Sequence, residues 1–145
     1  MKIEYRGFRS STQEAETRAF LEELSGLIPR KVISLTVLNW DSNESGNAAA
    51  AIEYDLHYLY ATLHIYNLFF SNSIERKREI IIHELTHLQV AEYFSFVQQD
   101  ILQYVKEHNE PLAEQFLRMT ERAEEVLVTQ VSHFISESVS GSKRN

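Results

Sequence analysis

Residues 59–87 read LYATLHIYNLFFSNSIERKREIIIHELTH, and this stretch decides how the chain folds. Its first half, with Tyr58 just before it, alternates, Leu59, Ala61, Leu63 and Ile65 being set against Tyr58, Tyr60, Thr62, His64 and Tyr66, which is the period of a strand with one buried face. The alternation begins near residue 51, so one long strand, or two joined near residues 57–59, fits it. Ser71-Asn72-Ser73 then offer helix caps, and the apolar spacing lengthens to that of a helix running to about residue 94, with an extension to about 105 left open. Ile80, Ile81 and Ile82 occupy three sides of that helix, so it must be buried on more than one face. A strand leading into a buried helix is the centre of the expected fold.

Outward from this centre the elements are simpler. Ser10-Ser11-Thr12 can cap a helix over residues 12 to 27, with Ala15, Ala19, Phe20, Leu24 and Leu27 as its apolar stripe and Pro29 beyond its end. Residues 31 to 38, KVISLTVL, are rich in β-branched side chains and read as a strand. Residues 41 to 47 are turn formers throughout and read as a surface loop. After Pro111, helical spacing runs through Leu112, Phe116, Ala123, Leu127, Val131 and Phe134 to about residue 137, leaving 138–145 as a flexible tail. The expected architecture is one α+β domain over residues 1–137, with a small antiparallel or mixed sheet packed on three or four helices.

The chain has 145 residues, too few for two ordinary domains, and its 43% hydrophobic content suits a packed core. It contains no Cys, so neither a disulfide framework nor a thiolate metal site is available, and any metal must be held by His, Asp or Glu. No stretch approaches the roughly 18 apolar residues of a membrane span, and the N-terminus does not read as a secretion signal. A cytoplasmic protein without a membrane partner is therefore expected. A formal net charge of -7 disfavours nucleic acid as a partner.

On the buried helix stands His83-Glu84-Leu85-Thr86-His87, an HExxH motif. Histidines at i and i+4 share one helix face and can reach one divalent ion, while the glutamate between them points to the rim of that face. Random placement of 6 His and 18 Glu would produce this pattern about 0.03 times per chain, so the match carries information. The chemistry it suggests is metal-assisted hydrolysis. A zinc ion with three protein ligands keeps a position for water and acidifies it, and Glu84 takes the proton as general base.

The third ligand is less directly legible. A further histidine of metzincin type is excluded by Leu88-Gln89-Val90-Ala91-Glu92-Tyr93. A carboxylate from another helix is the alternative, and Glu121, Glu124 and Glu125 crowd one segment of the last helix. These three could also form a solvated acidic face. Tyr66, Tyr93 and Tyr104 are candidates to stabilise an oxyanion. His64 is a candidate for the substrate side, and His57, His108 and His133 read as surface or capping residues. The aromatic stripe over residues 54 to 70 reads as core.

The run from Tyr66-Asn67-Leu68-Phe69-Phe70 to Glu79-Ile80-Ile81-Ile82-His83-Glu84-Leu85-Thr86-His87 resembles the strand, short connection and active-site helix of the small HExxH metallopeptidase-like proteins common in phages and prophages, minimal zincins of gluzincin type. The resemblance covers roughly residues 31–137. In that family a later helix with a Glu-Glu-x-x-Val-like segment supplies a carboxylate ligand, and Glu124-Glu125-Val126-Leu127-Val128 is similar to it. By register, Glu125 followed by Val128 and Thr129 resembles the family's ligand and its neighbours, although helical angles leave Glu124 nearer the centre of the apolar stripe. The resemblance implies a zincin-like fold, one zinc ion held by His83, His87 and Glu125, Glu84 as the general base, and peptide or protein as the substrate. The strand near residues 61–66 is then expected to be an open edge that pairs with an extended peptide. A zinc-stabilised binding or regulatory module without useful peptidase activity is the alternative function.

Overall fold

The Ser10 side chain accepts from the backbone N–H of Gln13 and so caps the first helix, α1, Ser11–Glu23. The computed structural model describes residues 1–40, 47–55 and 59–142. The polar loop expected at 41–47 falls outside these residues except for Asn47, and so does His57. A single 3-10 turn, Ser25–Leu27, follows α1, where the sequence extended the helix. The two or three strands expected from the sequence become four.

Strand β2, Ser34–Trp40, pairs in parallel with both β1, Lys2–Arg6, and β4, Tyr60–Tyr66. Strand β3, Ala50–Asp55, pairs antiparallel with β4, so the sheet order is β1-β2-β4-β3 and the sheet is mixed. The alternating stretch is therefore two strands. β1 was not read from the sequence, because Lys2-Ile3-Glu4-Tyr5-Arg6 offers only two apolar residues. Gly7 ends it with φ +77, and a Cβ there would stand 2.5 Å from the Asn39 carbonyl oxygen.

One face of the sheet carries Leu35, Val37, Ala61, Leu63 and Ile65, all buried. Helix α1 covers part of this face with Phe20, Leu21 and Leu24, and Phe69 from the short helix α2, Asn67–Phe70, meets Phe20 edge-on at 6.3 Å. Helix α3, Ile74–Phe96, is capped by the Ser73 hydroxyl and buries Ile81, Ile82, Leu85 and Leu88 in the same core. Two ion pairs tie α1 to α3: Glu16 with Lys77 at 2.8 Å and Glu23 with Arg78 at 3.3 Å. A π-helical turn, Val97–Ile101, then leads into α4, Leu102–His108.

The last helix, α5, runs Glu110–Ser142, five residues beyond the expected fraying point. Its buried residues Ala113, Thr120, Glu124, Val128 and Ser132 recur at four-residue and seven-residue steps, and this stripe packs on α3. The molecule is thus α+β, a four-stranded mixed sheet with its helices on one side. Among the described residues, no helix is long and apolar enough to cross a membrane.

One expectation about the sheet is corrected. β4 is not an open edge, because β2 and β3 occupy both of its sides. The edge nearest α3 and α5 is β3 instead. Alternation of buried and exposed residues identifies the face of a strand but says nothing about which neighbours flank it.

Candidate metal centre

The core residues of α3 fix where its motif points. Ile81, Ile82, Leu85 and Leu88 take the sheet side, which turns His83, Glu84 and His87 toward β3 and α5. On α5 the buried stripe places Glu124 within the interface, 8% exposed, while Glu125 stands about 100° further round at the rim. Its side chain is 58% exposed.

Three donor groups converge at this rim. Nε2 of His83 lies 3.2 Å from Oε1 of Glu125, and Nε2 of His87 lies 3.5 Å from Oε2 of the same residue. One atom from each of the three side chains falls within 4.8 Å of the others. Ligands placed tetrahedrally at roughly 2.0–2.1 Å from zinc stand about 3.4 Å apart, so both carboxylate–imidazole distances suit a shared ion. Glu121 is exposed and does not join the group.

Glu124 has a different task. Its Oε1 lies 3.1 Å from Nδ1 of His87. A carboxylate only accepts, so Nδ1 carries a proton, and in the neutral ring Nε2 is left with its lone pair toward Glu125. The same Oε1 accepts from the Tyr54 hydroxyl at 3.3 Å. Burial first, and then the Glu124 carboxylate, push the Tyr54 phenol up to about 12. Burial lowers the imidazole of His83 despite Glu125 beside it. Burial also pulls on His87, but the hydrogen bond to Glu124 and the charges of Glu84, Glu124 and Glu125 outweigh it, and its net shift is upward.

Glu84 is the most perturbed acid of the site. Burial raises its carboxyl from the ordinary 4.5 to about 7, with His87 and the Ile52 backbone amide pulling the other way. The hydrogen bond from Ile52 fits the sheet register. Tyr66 donates to the Ala49 carbonyl, so by alternation the backbone groups of Ala50, Ile52 and Tyr54 point away from β4, along the open edge. Glu84 thus sits between the two histidines and the open edge of β3, where it takes the Ile52 amide. Beside it opens a cleft of about 550 Å³, lined by Ala50, Arg76, Ile80, His83, Glu84 and Thr129 among others. Its size suits a few residues of a peptide.

Comparison with known proteins adds no relative. No family model, no curated protein and no solved structure matches the chain.

Several sequence candidates lie elsewhere. His64 faces the side of the sheet away from the helices, stacked on Trp40 and Tyr66, and its Nδ1 accepts from the Trp40 indole at 2.6 Å. Tyr66 shares that stack, Tyr93 is 75% exposed, and Tyr104 stacks on His108. None of these tyrosines lines the cleft. His133 does line it, at the rim, and pairs with Glu137 at 3.3 Å. Tyr54 and the Ile52 amide were missed. Tyr54 lies within the aromatic stripe read as core, and no local signal separates a core tyrosine from one whose hydroxyl reaches a buried acid 70 residues away.

Proposed function

We propose that the protein is a zinc-dependent metallopeptidase of minimal zincin type, hydrolysing peptide bonds with Glu84 as general base. The observation that carries this reading is the convergence of His83, His87 and Glu125, with Glu84 beside them and the His87 tautomer fixed by Glu124. The donor set, two imidazoles and one carboxylate, is one that zinc takes in hydrolytic sites. A bound zinc ion would supply Lewis acidity to polarise the scissile carbonyl and acidify water.

The remaining work falls to the chain. Glu84 accepts a proton from the attacking water and returns it to the departing amine, a task that suits a largely buried carboxyl beside the two imidazoles. The open edge of β3 offers the backbone groups of Ala50 and Tyr54 and the Ile52 carbonyl to an extended peptide, which would lie along the cleft beside Glu84. Glu125 contributes a negative charge that two neutral imidazoles lack, which favours a dication at the rim. A cysteine-free chain also suits a cytoplasmic setting.

The second reading is a zinc-stabilised binding or regulatory module. It is favoured by the positions of Tyr66, Tyr93 and Tyr104, none of which borders the cleft to stabilise an oxyanion. One experiment separates the two. Zinc is measured by elemental analysis in untagged protein and in Glu84→Gln, and both are incubated with a defined peptide pool read by mass spectrometry. A peptidase gives one zinc per chain in both proteins and cleavage in the first alone. A module gives zinc in both and cleavage in neither. No zinc in the unaltered protein, even after zinc is added back at neutral pH, overturns both readings.

A further inference from the structure

We infer that Tyr54 is a positioning residue for the metal centre: from the edge strand, its hydroxyl holds the buried Glu124 carboxylate in the orientation that presents it to Nδ1 of His87. This inference rests on the metal reading given above. The observations behind it are geometric. Oε1 of Glu124 receives two donors, the Tyr54 hydroxyl at 3.3 Å and His87 Nδ1 at 3.1 Å. Glu124 is 8% exposed, in the interface of α3 and α5, where few donors stand ready to replace a lost one. A buried carboxylate with one donor retains torsional freedom about its side chain, and a second donor on the same oxygen removes it. His87 ring orientation follows from that oxygen, and the direction of its Nε2 lone pair follows from the ring. Register places Tyr54 correctly: it pairs with buried Ala61, so it faces the helices, two residues from Ile52 and on the same side of β3.

The exposed apolar side chains of α5, including Met119, Val126 and Phe134, form a stripe, but nothing in the structure says what covers them. The Trp40–His64–Tyr66 stack has no ligand-directed group beyond His64 Nε2, which faces Glu53 at 3.4 Å.

The test is a double-mutant cycle read as zinc affinity, by competition with a chromophoric chelator at neutral pH. Tyr54→Phe keeps the ring and its packing and removes only the hydroxyl. Glu124→Met removes the carboxylate at similar volume. Loss of a group that hydrogen-bonds a metal-bound histidine costs about 10–100-fold in metal affinity, so Glu124→Met should fall in that range and Tyr54→Phe, one step further out, roughly 3–10-fold. Because Tyr54 acts through Glu124, the double variant should bind zinc no more weakly than Glu124→Met alone. A Tyr54→Phe loss that persists in the Glu124→Met background overturns the proposal, as does an unchanged affinity in Tyr54→Phe. Should Glu124→Met fail to fold, the His87 Nδ1–H resonance of zinc-loaded, 15N-labelled protein decides. Faster exchange of that proton with water in Tyr54→Phe supports the role, and an unaltered resonance removes it. If the unaltered protein takes no zinc at all, the metal reading itself has failed, an outcome distinct from any difference between variants.

Discussion

Nδ1 of His87 and Oε1 of Glu124 face each other at 3.1 Å across the interface of α3 and α5, and this contact decides which of two adjacent glutamates is free to meet a metal. Glu124 is committed to the back of the imidazole. Glu125, one residue on, is turned to the rim, where it meets Nε2 of both histidines. Neighbouring residues on a helix differ by about 100°, which suffices to turn one carboxylate to Nδ1 of His87 and the next to the two Nε2 atoms, the place of the proposed ligand.

The first prediction follows from that division. His87→Ala should lower zinc affinity by more than about 100-fold, beyond the range expected for a merely supporting partner. Glu125→Ala should weaken binding strongly and Glu121→Ala should not, since Glu121 is exposed and outside the group. Chelator competition measures all three. Equal losses in Glu125→Ala and Glu121→Ala would remove Glu125 from the ligand set.

A second prediction concerns stability. The candidate ligands come from α3 and α5, so an ion held by both would bind the folded chain and not the unfolded one. Zinc at 100 times its dissociation constant should then add about 2.7 kcal/mol, or roughly 5–10 °C in melting temperature for a chain of this size. Thermal unfolding with zinc and with excess chelator reads the difference. A melting temperature indifferent to both would mean that the two helices do not share an ion.

Much of this arrangement was legible in residues 59–87, because the change from two-residue to helical spacing is a property of the local sequence. The HExxH pair was legible for the same reason: His83 and His87 need only one helix to meet. Tyr54 and Glu124 were not, since their contact joins a strand to a helix 70 residues later and depends on sheet order. That order put β3, not β4, at the edge. The N-terminal strand was hidden by its charged residues, which suit a sheet whose other face carries no helix among the described residues.

A third prediction tests the turn after that strand. Gly7 adopts φ +77, and a side chain there meets the Asn39 carbonyl oxygen at 2.5 Å. Gly7→Ala should destabilise the protein by about 1–3 kcal/mol through backbone strain and displacement of β2. Denaturant unfolding gives the value. Since Gly7 lies outside the metal group, the folded variant should retain its zinc stoichiometry, and coupled loss of both would connect β1 to the site.

The last prediction turns the proton affinity of Glu84 into a stability profile. Its carboxyl is raised from 4.5 to about 7 in the folded, metal-free chain, chiefly by burial. Between those values the folded state binds more protons at Glu84 than the unfolded state does. Stability from this group is therefore fully present below pH 4.5 and lost as pH rises through about 7, by up to about 3 kcal/mol. Glu84→Gln has no proton to lose, so the metal-free variant should gain on the unaltered protein as pH rises from 5 to 8. Urea unfolding of both proteins at a series of pH values in chelator gives the difference curve. A curve flat across that range would mean that Glu84 is solvated rather than buried, and would leave it an ordinary surface acid without the proton affinity assigned to a general base.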